Sequence, residues 1–282
     1  MKNGGIKNLT VLFVFASLHS NVSVCEEVST LKADGPNEGL SAYELIKNFA
    51  GKRPIESPDL YPENHPEIQH IYEDTDDVVG HHFVFLLHRD IDRDRDKYKR
   101  FSDRQRNEIK AYSGSKRRLK GYEGEILTYR WKFKLEPDMS LSKNFSHFFQ
   151  LKSVDDGVGT PIFTFSGRHY RGEKWFAFSH AAVKKTTILE KNRWNKVSGV
   201  WLEAEVTAVY ANKGTLKVTL KRLEDQVILM EYQSDTIDMW RGTKASHFVR
   251  PKWGLYRSLK SKSMLESEED TIRFADFEVI KP

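Results

Sequence analysis

"GTLKVTLKRL", residues 214–223, carries the decisive pattern: Leu216, Val218 and Leu220 alternate with Lys217, Thr219 and Lys221. Side chains two apart on a strand share a face, so this stretch has one dry and one wet side. "ANKG", residues 211–214, supplies the turn of a hairpin that joins it to "GVWLEAEVTAVY", residues 199–210. The same kind of short run, rich in aromatic and β-branched residues, recurs outward in both directions. Upstream lie "HFVFLLH" (82–88), "EILTYRWKFKL" (125–135), "FSHFFQLK" (145–152), "PIFTFSGR" (161–168) and "KWFAFSH" (174–180). Downstream lie "VILMEYQ" (227–233) and "TIRFADFEVI" (271–280). Many short alternating strands with almost no helix between them predict an all-β protein of two packed antiparallel sheets, a sandwich or β-jelly roll. No sequence repeat supports a propeller.

The 282 residues suffice for one large domain. The first 25 hold Lys2 and Lys7, an apolar run from Leu9 to Leu18, and no acid. That is the build of a secretory signal peptide, too short for a comfortable membrane span. Removing it lowers the formal charge from +5 to about +3. We therefore expect export, no membrane span in the mature chain, and an anionic polysaccharide rather than nucleic acid as partner, with the protein acting as a monomer. The single cysteine, Cys25, falls at the processing site, so disulfides cannot hold the domain together. Residues 26–67 read as a linker with one short helix in "LSAYELIKNFAG", capped by Ser41 and stopped by Gly51, and the compact body is expected over 68–282.

Three strands have polar faces that a core does not explain. "KWGLYRS", residues 252–258, sets Lys252, Gly254, Tyr256 and Ser258 on one face. "DRQRNEIKAY", residues 103–112, does so with Arg104, Arg106, Glu108 and Lys110, and "FSHFFQLK" with Gln150 and Lys152. A solvated charged face accounts for any one of these in isolation. A Gln within an apolar strand, however, needs hydrogen-bond partners once buried.

In order and spacing these stretches resemble the three motif strands of the jelly-roll polysaccharide lyases, the group of alginate lyases, glucuronan lyases and heparin lyase I. In the alginate lyases an Arg-x-Glu-x-Arg pattern is followed by Gln-x-His and Lys-x-Gly-x-Tyr. Arg106, Glu108 and Lys110 stand in the first, Gln150 and Lys152 in the second, and Lys252, Gly254 and Tyr256 in the third. The resemblance implies β-elimination on a uronate polysaccharide. Arg106 and Gln150 would neutralise the carboxylate, Tyr256 would act as acid or as acid and base, and Arg104, Glu108, Lys110, Lys152, Lys252 and Trp253 would bind substrate. It implies no required cofactor.

Lys152 stands where the alginate lyases have histidine, and other members of the group have theirs on an earlier strand, which leaves the base open between His88, at the end of "HFVFLLH", and His147. His88 is the favoured candidate, because an unbroken strand turns His147 away from Gln150. "RDIDRDRDK", residues 89–97, offers Asp90, Asp92 and Asp94 as calcium ligands, although the interleaved arginines favour internal ion pairs. Two rival functions remain. A lectin-like module would present exposed aromatics such as Trp131, Trp175 and Trp253, and a glycoside hydrolase would need paired carboxylates such as Glu203 and Glu205.

Overall fold

In a computed structural model, Met1 and residues 26–97, 102–157, 159–182 and 185–282 are described. The expected signal segment, with Cys25, lies outside the described residues. The elements in chain order are β1 (Glu27–Leu31), α1 (Ala42–Ala50), β2 (Ile55–Glu56), β3 (Ile71–Asp76), β4 (Gly80–His88) and β5 (Arg104–Lys110). Next come β6 (Ile126–Leu135), β7 (Ser146–Val154), β8 (Phe163–Tyr170), β9 (Glu173–Ala181), β10 (Thr186–Arg193) and α2 (Trp194–Val197). The chain ends with β11 (Trp201–Val209), β12 (Gly214–Arg222), β13 (Ile228–Ile237), β14 (Phe248–Ser258) and β15 (Glu269–Lys281).

These strands build two sheets, as the alternation predicts. One has the order β13-β12-β11-β6-β15-β4-β3 with β1 beside β15, and the other β10-β9-β8-β7-β14-β5-β2. Every pairing is antiparallel. The architecture is a β-jelly roll. Leu216, Val218 and Leu220 are fully buried in the space between the sheets.

Trp253, expected to meet substrate, belongs to that core. Its ring lies 5.4 Å from Phe277, 5.6 Å from Phe149 and 6.1 Å from Trp131, all buried. Alternation along β14 is the reason: Lys252 and Gly254 face outward, so the residue between them faces in.

The segment 26–67 is not a linker. β1 pairs with the end of β15, from Glu27 opposite Lys281 to Leu31 opposite Phe277. α1 forms where expected, with Ser41 N–H donating to Glu44 at 3.0 Å and Gly51 ending the helix at φ 88. It buries Ile46 and Phe49 in the common core. β2 then adds Glu56 to the edge of β5. Apart from β2, the four prolines of residues 54–66 leave this stretch irregular, and the Pro54 carbonyl accepts the backbone N–H of Lys110 on β5.

Candidate active site

β5 and β14 run side by side with Lys110 opposite Lys252, Glu108 opposite Gly254, Arg106 opposite Tyr256 and Arg104 opposite Ser258. All face away from the other sheet, because the intervening Ile109, Trp253 and Leu255 fill the core. Gly254 has φ +138, and a Cβ there would stand 2.2 Å from the carbonyl oxygen of Asn107. The close approach it permits is therefore that of β5's own backbone rather than a ligand.

His147 reaches this face through a bulge. Against β8, Gln150 pairs with Thr164 and Phe149 with Phe165, but the next partner of Ser166 is His147, so Phe148 is an extra residue. Phe148 and Phe149 both point into the core, and alternation is reset. His147 thus shares the outward face with Gln150 and lies opposite Tyr256, contrary to the expectation for an unbroken strand. Its ring stacks on Phe145 at 4.9 Å, and its centroid is 6.0 Å from that of Tyr256. Ser166 donates to Thr164 at 3.0 Å, so it accepts from His147 Nδ1–H at 2.7 Å. Nε2 then carries the lone pair. Burial, reinforced by Arg168, Arg106 and Lys252, pushes the imidazole pKa down to about 3, which keeps the ring neutral.

Tyr256 is held by cations. The Arg106 guanidinium lies 3.7 Å from the centre of its ring, and Arg104 Nη1 donates to its hydroxyl at 2.9 Å. Burial nevertheless raises the phenol above the usual tyrosine range, against the pull of both arginines. At neutral pH it is protonated.

Beneath these groups is an ion cluster that includes a residue with no signal in the sequence, Glu56. Glu56 accepts from Lys252 at 2.6 Å, Arg95 at 2.5 Å and Arg106 at 3.3 Å, and from Lys110. Glu108 accepts from Lys252 at 2.5 Å, Arg106 at 2.6 Å, and Gln150. Asp94 takes Arg106 Nε at 2.8 Å. Burial opposes ionisation of Glu56, yet the surrounding Lys252, Arg106, Lys110 and Arg95 hold its carboxyl well below the usual range. Removing that charge strands several buried cations. Glu56→Gln is therefore expected to lose about 3–5 kcal/mol of stability in urea unfolding at neutral pH. Wild-type stability in that variant would mean that the cluster is not coupled as drawn.

Above the cluster is a groove of about 780 Å³. It is lined by the basic Lys47, Arg53, Arg95, Arg106, Lys110, Lys152, Arg250 and Lys252 and by only two acids, Glu56 and Asp96. A second hollow of about 450 Å³ contains His147, Arg104, Arg168 and Ser166. Tyr256, Gly159 and Pro161 line both, so the two form one cleft that meets at the phenol. Arg250 extends the outward row of β14 beyond Lys252, and continuing the alternation one step further would have found it.

The other expected site residues lie elsewhere. His88 is on the opposite sheet and lines neither hollow, which removes it as the base. Asp90, Asp92 and Asp94 do not converge as calcium ligands. Asp90 pairs with Arg89 at 2.6 Å and Lys262 at 2.7 Å, Asp94 turns to Arg106, and Asp92 turns to histidines. Glu203 and Glu205 face outward on β11, away from the cleft, where they pair with Lys221 and Arg130, each at 2.7 Å. Trp131 is buried with Trp253, so neither offers a sugar-stacking surface.

Among solved structures the chain is similar to a marine alginate lyase from Aplysia kurodai, with 11% identity, TM-score 0.56, and coverage of 90% of this chain and 98% of that one. It is also similar to the endo-β-1,4-glucuronan lyase of the fungus Trichoderma reesei, with 12% identity, TM-score 0.50, and coverage of 80% and 92%. The fold is that of the jelly-roll polysaccharide lyases. A family 7 alginate lyase, with one histidine changed to Asn and one tyrosine to Phe and solved in complex with substrate, aligns at 12% identity and TM-score 0.53, covering 89% and 91%. No family model matches the sequence, and no curated protein sequence matches it. Among the described residues of this lyase-like fold, no helix is long and apolar enough to cross a membrane.

Proposed function

We propose that the protein is an exported polysaccharide lyase that cleaves a uronate-containing chain by β-elimination. One observation carries this reading: a neutral imidazole with a free Nε2 and a protonated phenol stand side by side in a cleft whose charged lining is predominantly cationic. The base and the acid of an elimination must occupy those opposite protonation states at one pH.

In the proposed reaction His147 Nε2 removes the proton at C5 of the uronate. The electron pair forms the C4–C5 double bond, the C4–O bond breaks, and Tyr256 gives its proton to the departing oxygen. Arg106, Gln150 and Lys252 form the wall next to Tyr256 that meets the substrate carboxylate. Glu108 binds all three and fixes their directions. Arg106 over the ring and Arg104 at the hydroxyl stabilise the phenolate as it forms. Lys110, Lys152 and Arg250 lie further along the groove, where they suit the carboxylates of neighbouring sugars.

Incubation with glucuronan, alginate and heparin-like chains tests this directly. A lyase produces new ultraviolet absorbance from the unsaturated product, a hydrolase produces reducing ends without it, and a lectin produces neither. No absorbance from any uronate polymer would overturn the proposal.

The same assay has an expected pH signature. Burial lowers both Lys110 and Lys152 to about 8, so they are cationic below that pH and neutral above it. KM for the polyanion should therefore rise as pH passes through about 8, more steeply than kcat falls. A KM that stays level to about pH 10 would remove these lysines from substrate binding.

A further inference from the structure

Apart from the cleft, one cluster of chemically capable side chains stands out among the described residues. His65, in the proline-rich stretch before β3, His70 just ahead of β3, His88 at the end of β4, and Asp92 in the following loop each place a ligand atom within 4.8 Å of the others. We propose that these four residues form a structural zinc site.

The donor set suits zinc. Three imidazoles and one carboxylate make a complete tetrahedral shell, whereas calcium and magnesium require oxygen ligands. With all four positions supplied by the protein no position is left for substrate, which makes the site structural rather than catalytic. His65, His70 and Asp92 are buried. The three rings pack edge to face with centroids 4.9, 5.0 and 5.5 Å apart around the single carboxylate.

Outer contacts orient His70, His88 and Asp92 in the way metal-binding residues require. His70 Nδ1–H donates to the Ile68 carbonyl at 2.6 Å and lies 3.4 Å from Asp59, leaving Nε2 to face Asp92 at 3.0 Å. His88 has Nε2 3.5 Å from Glu269, and its Nδ1 faces Asp92 Oδ2 at the same distance. That Nδ1 is buried and makes no hydrogen bond among the described residues. Asp92 itself is fixed, its Oδ2 accepting the backbone N–H of His88 at 2.6 Å. A central dication would satisfy His88 Nδ1 together with the other inward lone pairs. Without one, several donors must compete for one carboxylate.

The site would pin two irregular segments to the sandwich. Two residues after Asp92, Asp94 reaches Arg106, and Arg95 reaches Glu56, so the metal would hold in place the loop that completes the wall of the cleft. The binding claim itself does not rest on the reaction assigned above.

The full chain, stripped with chelator and incubated with excess zinc sulfate, should retain about one zinc per chain through gel filtration, measured by elemental analysis. Its Tm should be higher with zinc than after chelation. Cobalt(II) loaded in place of zinc should give the intense visible bands of a four-coordinate nitrogen and oxygen site. His88→Gln and Asp92→Asn should lose both metal and bands, while Cys25→Ser keeps them. The proposal is overturned if the wild-type chain retains no zinc and shows no four-coordinate cobalt spectrum, or if folded His88→Gln binds as much metal as wild type. The wild-type measurements decide the matter even where a variant fails to fold.

Discussion

Tyr256→Phe is expected to fold as the wild type, to bind uronate polymer, and to form unsaturated product about 10²- to 10⁴-fold more slowly, the range that a lost general acid costs. The substitution removes one oxygen. The ring keeps its place beneath Arg106 at 3.7 Å and beside Phe145 at 4.9 Å. Arg104 loses the acceptor it holds at 2.9 Å but keeps Asp103, to which its Nε donates at 2.7 Å. The effect should therefore appear in kcat with KM nearly unchanged, because the hydroxyl acts on the leaving oxygen as the bond breaks rather than on the bound ground state. Product absorbance at saturating polymer checks it. A variant with substantial elimination activity would move proton donation to another group.

His147→Ala should lower kcat by a similar factor, and added imidazole should restore part of the rate by entering the vacated space. The motivation is the free Nε2 of a ring whose centroid is 6.0 Å from that of Tyr256, with Nδ1 committed to Ser166. Because burial and nearby cations keep the pKa down at about 3, the wild-type profile should lack the loss of rate near pH 6.5 that an ordinary histidine base would impose. The same shift links to stability. The unfolded chain takes up this proton near pH 6.5 and the folded one only near 3, so the contribution is complete above about pH 6.5 and is lost as pH falls toward 3. His88→Ala offers the contrast, since it should change metal content and Tm and leave the pH dependence of the proton transfer intact. If the His147 variant eliminates at the wild-type rate, the base lies elsewhere.

Much of this site was legible because strand alternation is a local property. Once "DRQRNEIKAY" and "KWGLYRS" are strands, the period of two puts Arg104, Arg106, Glu108 and Lys110 on one face and Lys252 and Tyr256 on one face, whatever the rest of the chain does. The same rule applied to Trp253 would have sent it inward. Its assignment to substrate binding followed residue type instead of position. Weakly apolar edge strands such as β1, β3 and β10 escaped notice because they bury little on their own and depend on a neighbour for their hydrogen bonds.

The sequence by itself determined the two-sheet architecture, the outward faces of β5 and β14, and the place of Tyr256 among cations, all of which follow from the order of polar and apolar residues along single strands. Only the tertiary structure decided which histidine joins that tyrosine. A bulge exists in the pairing of β7 with its neighbours, and no pattern within "FSHFFQLK" says that Phe148 and Phe149 will both turn inward. Glu56 entered the site, and His65, His70, His88 and Asp92 came together, for a related reason. These contacts join segments far apart in the chain, and they form where packing brings charged and imidazole groups out of water and obliges each to find a partner.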